Sequence, residues 1–216
     1  KATLCIDGED VGLFWHGEVD QTDTPAANLY ITDPPYNIGI NYGGGVRDNL
    51  GNNEYHEMLQ RILSKCYENA AENAHLFLIH YPESIAEMWG LLTEEWEFRQ
   101  WISWVYPTNT GHSQRQWTRA HRAIIWLTKG DPHFDSRGVI QKFKNPSAKV
   151  VKDKVSQGVK GVALYNWWEI PQVKNISKEN RAYENQIPSE LIRRIILCAS
   201  RPGDWVADPF SGTFST

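Results

Sequence analysis

Cysteine is scarce: only Cys5, Cys66 and Cys198 in 216 residues, far apart in the chain. That spacing excludes a disulfide framework and fits a reducing, cytoplasmic setting. The seven histidines are scattered, and no CxxC or HExxH pattern occurs, so no metal site is read. No apolar run reaches the length of a membrane span, and residues 1 to 20 carry too many acids for a signal peptide. Basic residues are scarce in the first part of the chain. Lys1 to Phe98 hold 4 Lys or Arg against 17 Asp or Glu, whereas Arg99 to Lys160 hold 12 against 3. The net charge of −4 therefore conceals one basic segment, and phosphate affinity depends on local rather than total charge. The apolar fraction of 41% is enough for a core, which excludes wholesale disorder.

The chain is organised around Asn28-Leu29-Tyr30-Ile31-Thr32-Asp33-Pro34-Pro35-Tyr36-Asn37. Leu29 to Thr32 reads as a buried strand. Pro34 and Pro35 lack the N–H that the sheet ladder needs, so the strand ends at Asp33. A carboxylate, a proline carbonyl and a phenol ring then stand together at a strand's carboxyl end, where open α/β sheets bind ligands. This group suits a planar amine. The lone pair of an exocyclic NH2 on a nucleobase is delocalised into the ring. The Asp33 carboxylate and the Pro34 carbonyl can accept both N–H protons and turn the nitrogen toward sp3 geometry. Tyr36 is expected to stack on the base, as enzymes that work on flipped bases require.

Asp204-Trp205-Val206-Ala207-Asp208-Pro209-Phe210-Ser211-Gly212-Thr213 repeats the pattern of strand, acid, proline, aromatic and small-residue turn. Taken together, the two stretches resemble the β group of S-adenosylmethionine-dependent DNA amino-methyltransferases. Asp33-Pro34-Pro35-Tyr36 resembles the catalytic motif and Asp208-Pro209-Phe210-Ser211-Gly212 the cofactor motif, in the order typical of that group. Gln186 to Ile192 and Ser200 to Asp204 resemble the segment before the cofactor motif. The resemblance covers about residues 25 to 130 and 180 to 216.

It implies an α/β, Rossmann-like methyltransferase fold with a mixed, mostly parallel sheet and a circularly permuted motif order. Residues 1–130 would be the catalytic part, 131–180 a small target-recognition insert and 181–216 the cofactor-binding part. Asp33, Pro34, Pro35 and Tyr36 would be catalytic. Asp208, Phe210, Gly212, Thr213 and Ser215 would line the S-adenosylmethionine, with Glu18 as the acid of the family's Gly-acid pair. The family usually has Gly where Phe214 stands and often Lys where Ile187 stands. It also continues past this turn into further strands, one of which carries a ribose-binding acid. The chain is therefore expected to be a fragment.

Along the chain, Glu54 to Asn73 reads as a helix with an apolar stripe, Leu76 to Ile79 as a buried strand, and Pro82 to Thr93 as a helix. Phe98 to Tyr106 and His121 to Leu127 read as a late strand pair, and Pro188 to Ala199 as a helix. Between the late strands, Pro107 to Ala120 carries no acid but includes Arg115, Trp117 and Arg119. These three, with Lys142 and Lys144 of the insert, are the expected DNA contacts.

The expected activity is methyl transfer to the exocyclic amine of a DNA base. Asp at the first motif position leans toward adenine N6. The rivals are cytosine N4, a non-catalytic nucleic-acid-binding homologue, and a methyltransferase of RNA or of protein amide nitrogen. The resemblance implies double-stranded DNA as the partner, a prokaryotic or phage source, a homodimer, and a cognate restriction nuclease.

Overall fold

A computed structural model describes residues 2–6, 9–14, 24–39, 48–107, 114–173 and 186–211. Strands β1 (Ala2–Ile6) and β2 (Glu9–Phe14) pair antiparallel as a separate hairpin. The main sheet has six strands. In chain order they are β3 (Ala27–Thr32), β4 (Ala70–His80), β5 (Glu97–Val105), β6 (His121–Lys129), β9 (Trp167–Glu169) and β10 (Val206–Ala207). Strands β7 (Ile140–Gln141) and β8 (Val162–Ala163) pair with each other outside it. The helices are α1 (Asn52–Glu68), α2 (Pro82–Glu87), α3 (Trp89–Leu92), α4 (Lys149–Ser156) and α5 (Ser189–Ala199).

The sheet order is β10-β3-β4-β6-β5-β9. Strand β6 runs antiparallel to both its neighbours, and the other pairings are parallel. Both faces are covered, so the central strands are apolar on both sides rather than alternating with polar residues. Leu76, Leu78, Ile125 and Leu127 face one core with the α1 stripe Leu59, Ile62, Leu63 and Cys66. Phe77, Ile79, Ile124 and Trp126 face a second core with Leu191, Ile192 and Ile195 of α5.

Helix α1 stops at Glu68, short of the expected Asn73. Asn69 caps it, and Ala70 pairs at once with Ala27, so sheet pairing claims residues whose small side chains had continued the helical stripe. The tandem tryptophans divide by strand alternation: Trp168 is buried in the second core, whereas Trp167 is partly exposed. Ile187, where the family often carries Lys, is buried in that same core.

Gly138, in the insert, packs against the end of α5. A Cβ there would lie 2.0 Å from the Leu197 carbonyl oxygen at the end of α5. Because that neighbour is backbone, Gly138→Ala is expected to destabilise the protein by about 1–3 kcal/mol in urea unfolding. An unchanged midpoint would show that the insert and α5 do not pack in this way.

Candidate active site at the carboxyl end of the sheet

Strands β3, β4 and β10 are parallel, so Asp33, Tyr81 and Asp208 all follow strand ends on one edge of the sheet. Asp33 comes one residue after β3 and is half-buried. Burial pushes its carboxyl up to about 7, and the Asp208 carboxylate adds to the rise. Arg122 and the hydrogen bond donated by the Tyr36 hydroxyl act the other way. The Tyr36 phenol is itself raised, by burial and then by the Asp33 charge, so it stays a donor.

The loop after Asp33 is tied down at several points. Asp48, buried, accepts the backbone N–H of Asn37 at 2.7 Å and that of Ile38 at 3.1 Å. Asn37 adopts a left-handed backbone with φ of 57°, which Asn tolerates better than most residues. Its side chain exchanges two hydrogen bonds with the Leu50 backbone, at 2.9 and 2.7 Å. The Tyr55 hydroxyl donates to the Pro35 carbonyl at 2.6 Å. Tyr55 reaches the loop because it stands at the first turn of the α1 buried stripe.

Arg122 is 2% exposed, and its guanidinium lies 4.5 Å from the Tyr36 ring centroid and 5.2 Å from that of Trp104. The β5–β6 register pairs Trp104 directly with Arg122, which explains the second contact. Burial opposes its charge, but Tyr36 and Asp33 outweigh that and hold its pKa above the ordinary value. Tyr36 is 3% exposed, with the Tyr81 ring at 4.8 Å. In this arrangement the phenol ring lies against Arg122 and Tyr81, and a base would stack on it only after that packing opens.

Arg119 belongs to the same end of the sheet. Its guanidinium lies 4.0 Å over the Tyr81 ring and 3.4 Å from Glu83. Arg115 is exposed and Trp117 is 97% exposed on the same stretch. Lys142 and Lys144 lie elsewhere, in the insert, with Lys144 4.6 Å over the Trp167 ring. Asp208 accepts the Phe210 N–H at 3.0 Å, closing the turn after β10. Gly212, Thr213, Phe214, Ser215 and Glu18 lie outside the described residues.

Asp48, Tyr55, His80 and Arg122 were not singled out from sequence. One signal pointed to Arg122: strand alternation places it on the face of Ile124 and Trp126. A separate cavity of about 460 Å³ opens at the opposite, amino end of the sheet, between Asn28, His75, His133 and Arg201. Its polar groups largely bond one another: His75 to His133 and Trp126, Arg201 to His133.

The carboxylate and stiff proline loop at a strand end, on this sheet order, are the arrangement that the resemblance to amino-methyltransferases implies. A DNA methylase family model matches residues 27–216, and the chain belongs to that family. It is 30% identical over 192 residues to the type II methyltransferase M.HpaI of Haemophilus parainfluenzae, covering 86% of this chain and 58% of that protein. It is 23% identical over 230 residues to the DNA adenine methyltransferase YhdJ of Escherichia coli K12, covering 97% and 74%. The chain thus spans little more than half the length of M.HpaI.

Two solved structures share the fold. The M1.HpyAVI–SAM complex matches with a TM-score of 0.59 at 17% identity, over 94% of this chain and 83% of that one. The PvuII cytosine-N4-specific DNA methyltransferase matches with a TM-score of 0.62 at 13% identity, over 88% and 69%.

Proposed function

We propose that the protein transfers a methyl group from S-adenosylmethionine to the exocyclic amine of a flipped DNA base, adenine N6. The observation that carries this reading is a half-buried carboxylate, Asp33, at the end of β3 on a loop fastened at Pro35, Asn37 and Ile38. Similarity to a DNA adenine methyltransferase supports the choice of base, as does Asp at the first motif position.

The residues present fit the cofactor. The Asp208 charge works against that of Asp33, so a cationic ligand beside the two carboxylates would relieve their repulsion. Thr32 Oγ1 and Arg122 Nε at this end are buried polar atoms with no hydrogen-bond partner. Asp208 and Phe210 would hold the cofactor, with Gly212, Thr213, Ser215 and Glu18 completing the set. When bound, S-adenosylmethionine supplies an electrophilic methyl group on a sulfonium.

The chain's own groups do the rest. Asp33 and the Pro34 carbonyl accept the two amine protons and orient the nitrogen lone pair. Positioning dominates such catalysis, because the sulfonium methyl is already electrophilic. A carboxyl poised near 7 can also take the proton that the methylated amine must lose, at Asp33 Oδ. Arg115, Trp117 and Arg119 approach DNA beside this site, and Lys142 and Lys144 from the insert. A homodimer, a cognate restriction nuclease and a cytoplasmic, prokaryotic or phage setting belong to the same reading, which the type II methyltransferases among its relatives support.

The test incubates full-length protein with methyl-labelled S-adenosylmethionine and mixed-sequence duplex DNA, then digests to nucleosides. Label is expected in N6-methyladenine. Label in N4-methylcytosine would keep the mechanism and change the base. No label, with DNA bound and no cofactor uptake by calorimetry, would leave a non-catalytic DNA-binding homologue.

A further inference from the structure

His80 is the last residue of β4 and fully buried. Its Nδ1 accepts the backbone N–H of Tyr81 at 2.8 Å. A backbone N–H can only donate, so Nδ1 is the unprotonated nitrogen and Nε2 carries the hydrogen. Nε2 lies 2.7 Å from the Tyr55 hydroxyl and therefore donates to it. Tyr55 in turn donates its own hydrogen to the Pro35 carbonyl at 2.6 Å. Every donor in the chain Tyr81, His80, Tyr55, Pro35 has one direction, set at the Tyr81 end. The His80 ring also packs edge-on against Tyr36, with centroids 4.9 Å apart.

This relay ends on the segment that must hold the amine. The proline rings lock φ at Pro34 and Pro35, and β3 pairing holds Thr32. Few torsions remain between Thr32 and Tyr36. Fixing the Pro35 carbonyl removes the freedom that would let the Asp33 carboxylate and the Pro34 carbonyl swing relative to each other. We propose that Tyr55 and His80 are positioning residues for methyl transfer, acting through the Pro35 carbonyl to set the direction in which Asp33 and Pro34 face the amine. The proposal rests on the methyl-transfer reading above. Burial holds the His80 pKa down to about 4, so the ring stays neutral and the relay intact at working pH.

Full-length wild type, Tyr55→Phe, His80→Gln and His80→Leu would be compared for kcat, for KM of S-adenosylmethionine and duplex DNA, and for thermal midpoint. Tyr55→Phe is expected to lower kcat about 10- to 100-fold with both KM values within about twofold, because loosening reacting groups costs rate rather than uniform binding. His80→Gln can still present an N–H toward Tyr55 and is expected to recover most of the activity that His80→Leu loses. In the wild type, His80 15N shifts should report the Nε2–H tautomer at pH 7.

A kcat for Tyr55→Phe within twofold of wild type overturns the proposal, as does a loss explained by the folded fraction alone. Should Tyr55→Phe fail to fold, equal activities of His80→Gln and His80→Leu, or an Nδ1–H tautomer, overturn it instead. A wild type that transfers no methyl group overturns the methyl-transfer reading and the proposal together. A working wild type that Tyr55→Phe leaves unslowed overturns the proposal alone.

Discussion

Asp33→Asn should abolish most methyl transfer and yet make the protein more stable at pH 8. Asn offers one acceptor where the carboxylate offers two, and it cannot take a proton. Losing one preorganised hydrogen-bonding group in an active site costs roughly 10²- to 10³-fold in rate. The gain in stability comes from burial. The Asp33 carboxyl moves from 3.8 to about 7 in the folded protein. Between those values the folded state binds the proton more tightly than the unfolded state. The contribution of Asp33 to stability is therefore fully present below the unfolded value of 3.8, falls as pH rises, and is gone above about 7. Discounted for the part of Asp33 that solvent reaches, the cost of the charge at pH 8 is roughly 2 kcal/mol. Asp33→Asn should recover about that much at pH 8 and almost none near pH 4, read by urea unfolding at both. A variant less stable than wild type at pH 8 would mean that the carboxylate is well solvated or fully paired.

Arg122→Met should produce the largest loss of stability of any single change at the site. Arg122 is buried beneath Tyr36 and beside Trp104, and it is the cation that offsets Asp33. Methionine can fill the space between the rings, so the lost charge dominates rather than a cavity. The Asp33 charge is already costly with Arg122 in place, and without that cation its cost should rise by about 1–3 kcal/mol. In Asp33→Asn, by contrast, the Arg122 charge still rests on the Tyr36 and Trp104 rings. The added cost in Arg122→Met should be large at pH 8, where Asp33 is ionised, and much smaller at pH 5, where it is mostly protonated. In Asp33→Asn/Arg122→Met no charge is stranded, so the two changes should be non-additive by about 1–3 kcal/mol. Equal losses at the two pH values, with additive effects, would show that Arg122 acts only through its packing on the aromatic rings.

Much of the site was legible in the chain because its signals are local. Two prolines after an apolar run must end a strand, so the place of Asp33 at the end of β3 followed from Leu29 to Pro35 alone. Leu76 to Ile79 was legible as a buried strand and His121 to Leu127 as one of a late strand pair, and two cores flank them. The family, and with it the motif order, followed from two short motifs read together. The end of α1 did not follow, because Ala70 fits either a helix or a strand until Ala27 is there to pair with it.

The groups that surround Asp33 were decided only by the tertiary structure. Asp48, Tyr55, His80 and Arg122 reach Asp33 or the loop after it from four different parts of the chain, and none forms a motif with Asp33. Their hydrogen bonds and ring contacts exist only once α1, β4 and β6 converge on the loop after β3. The chemistry of a carboxylate depends on burial and on which charges stand beside it, and neither can be read along a chain. The sequence thus determined which groups stand together at the end of β3. Packing determined that Asp33 is poised near pH 7, and that its loop is held by a relay running from the end of β4 through α1.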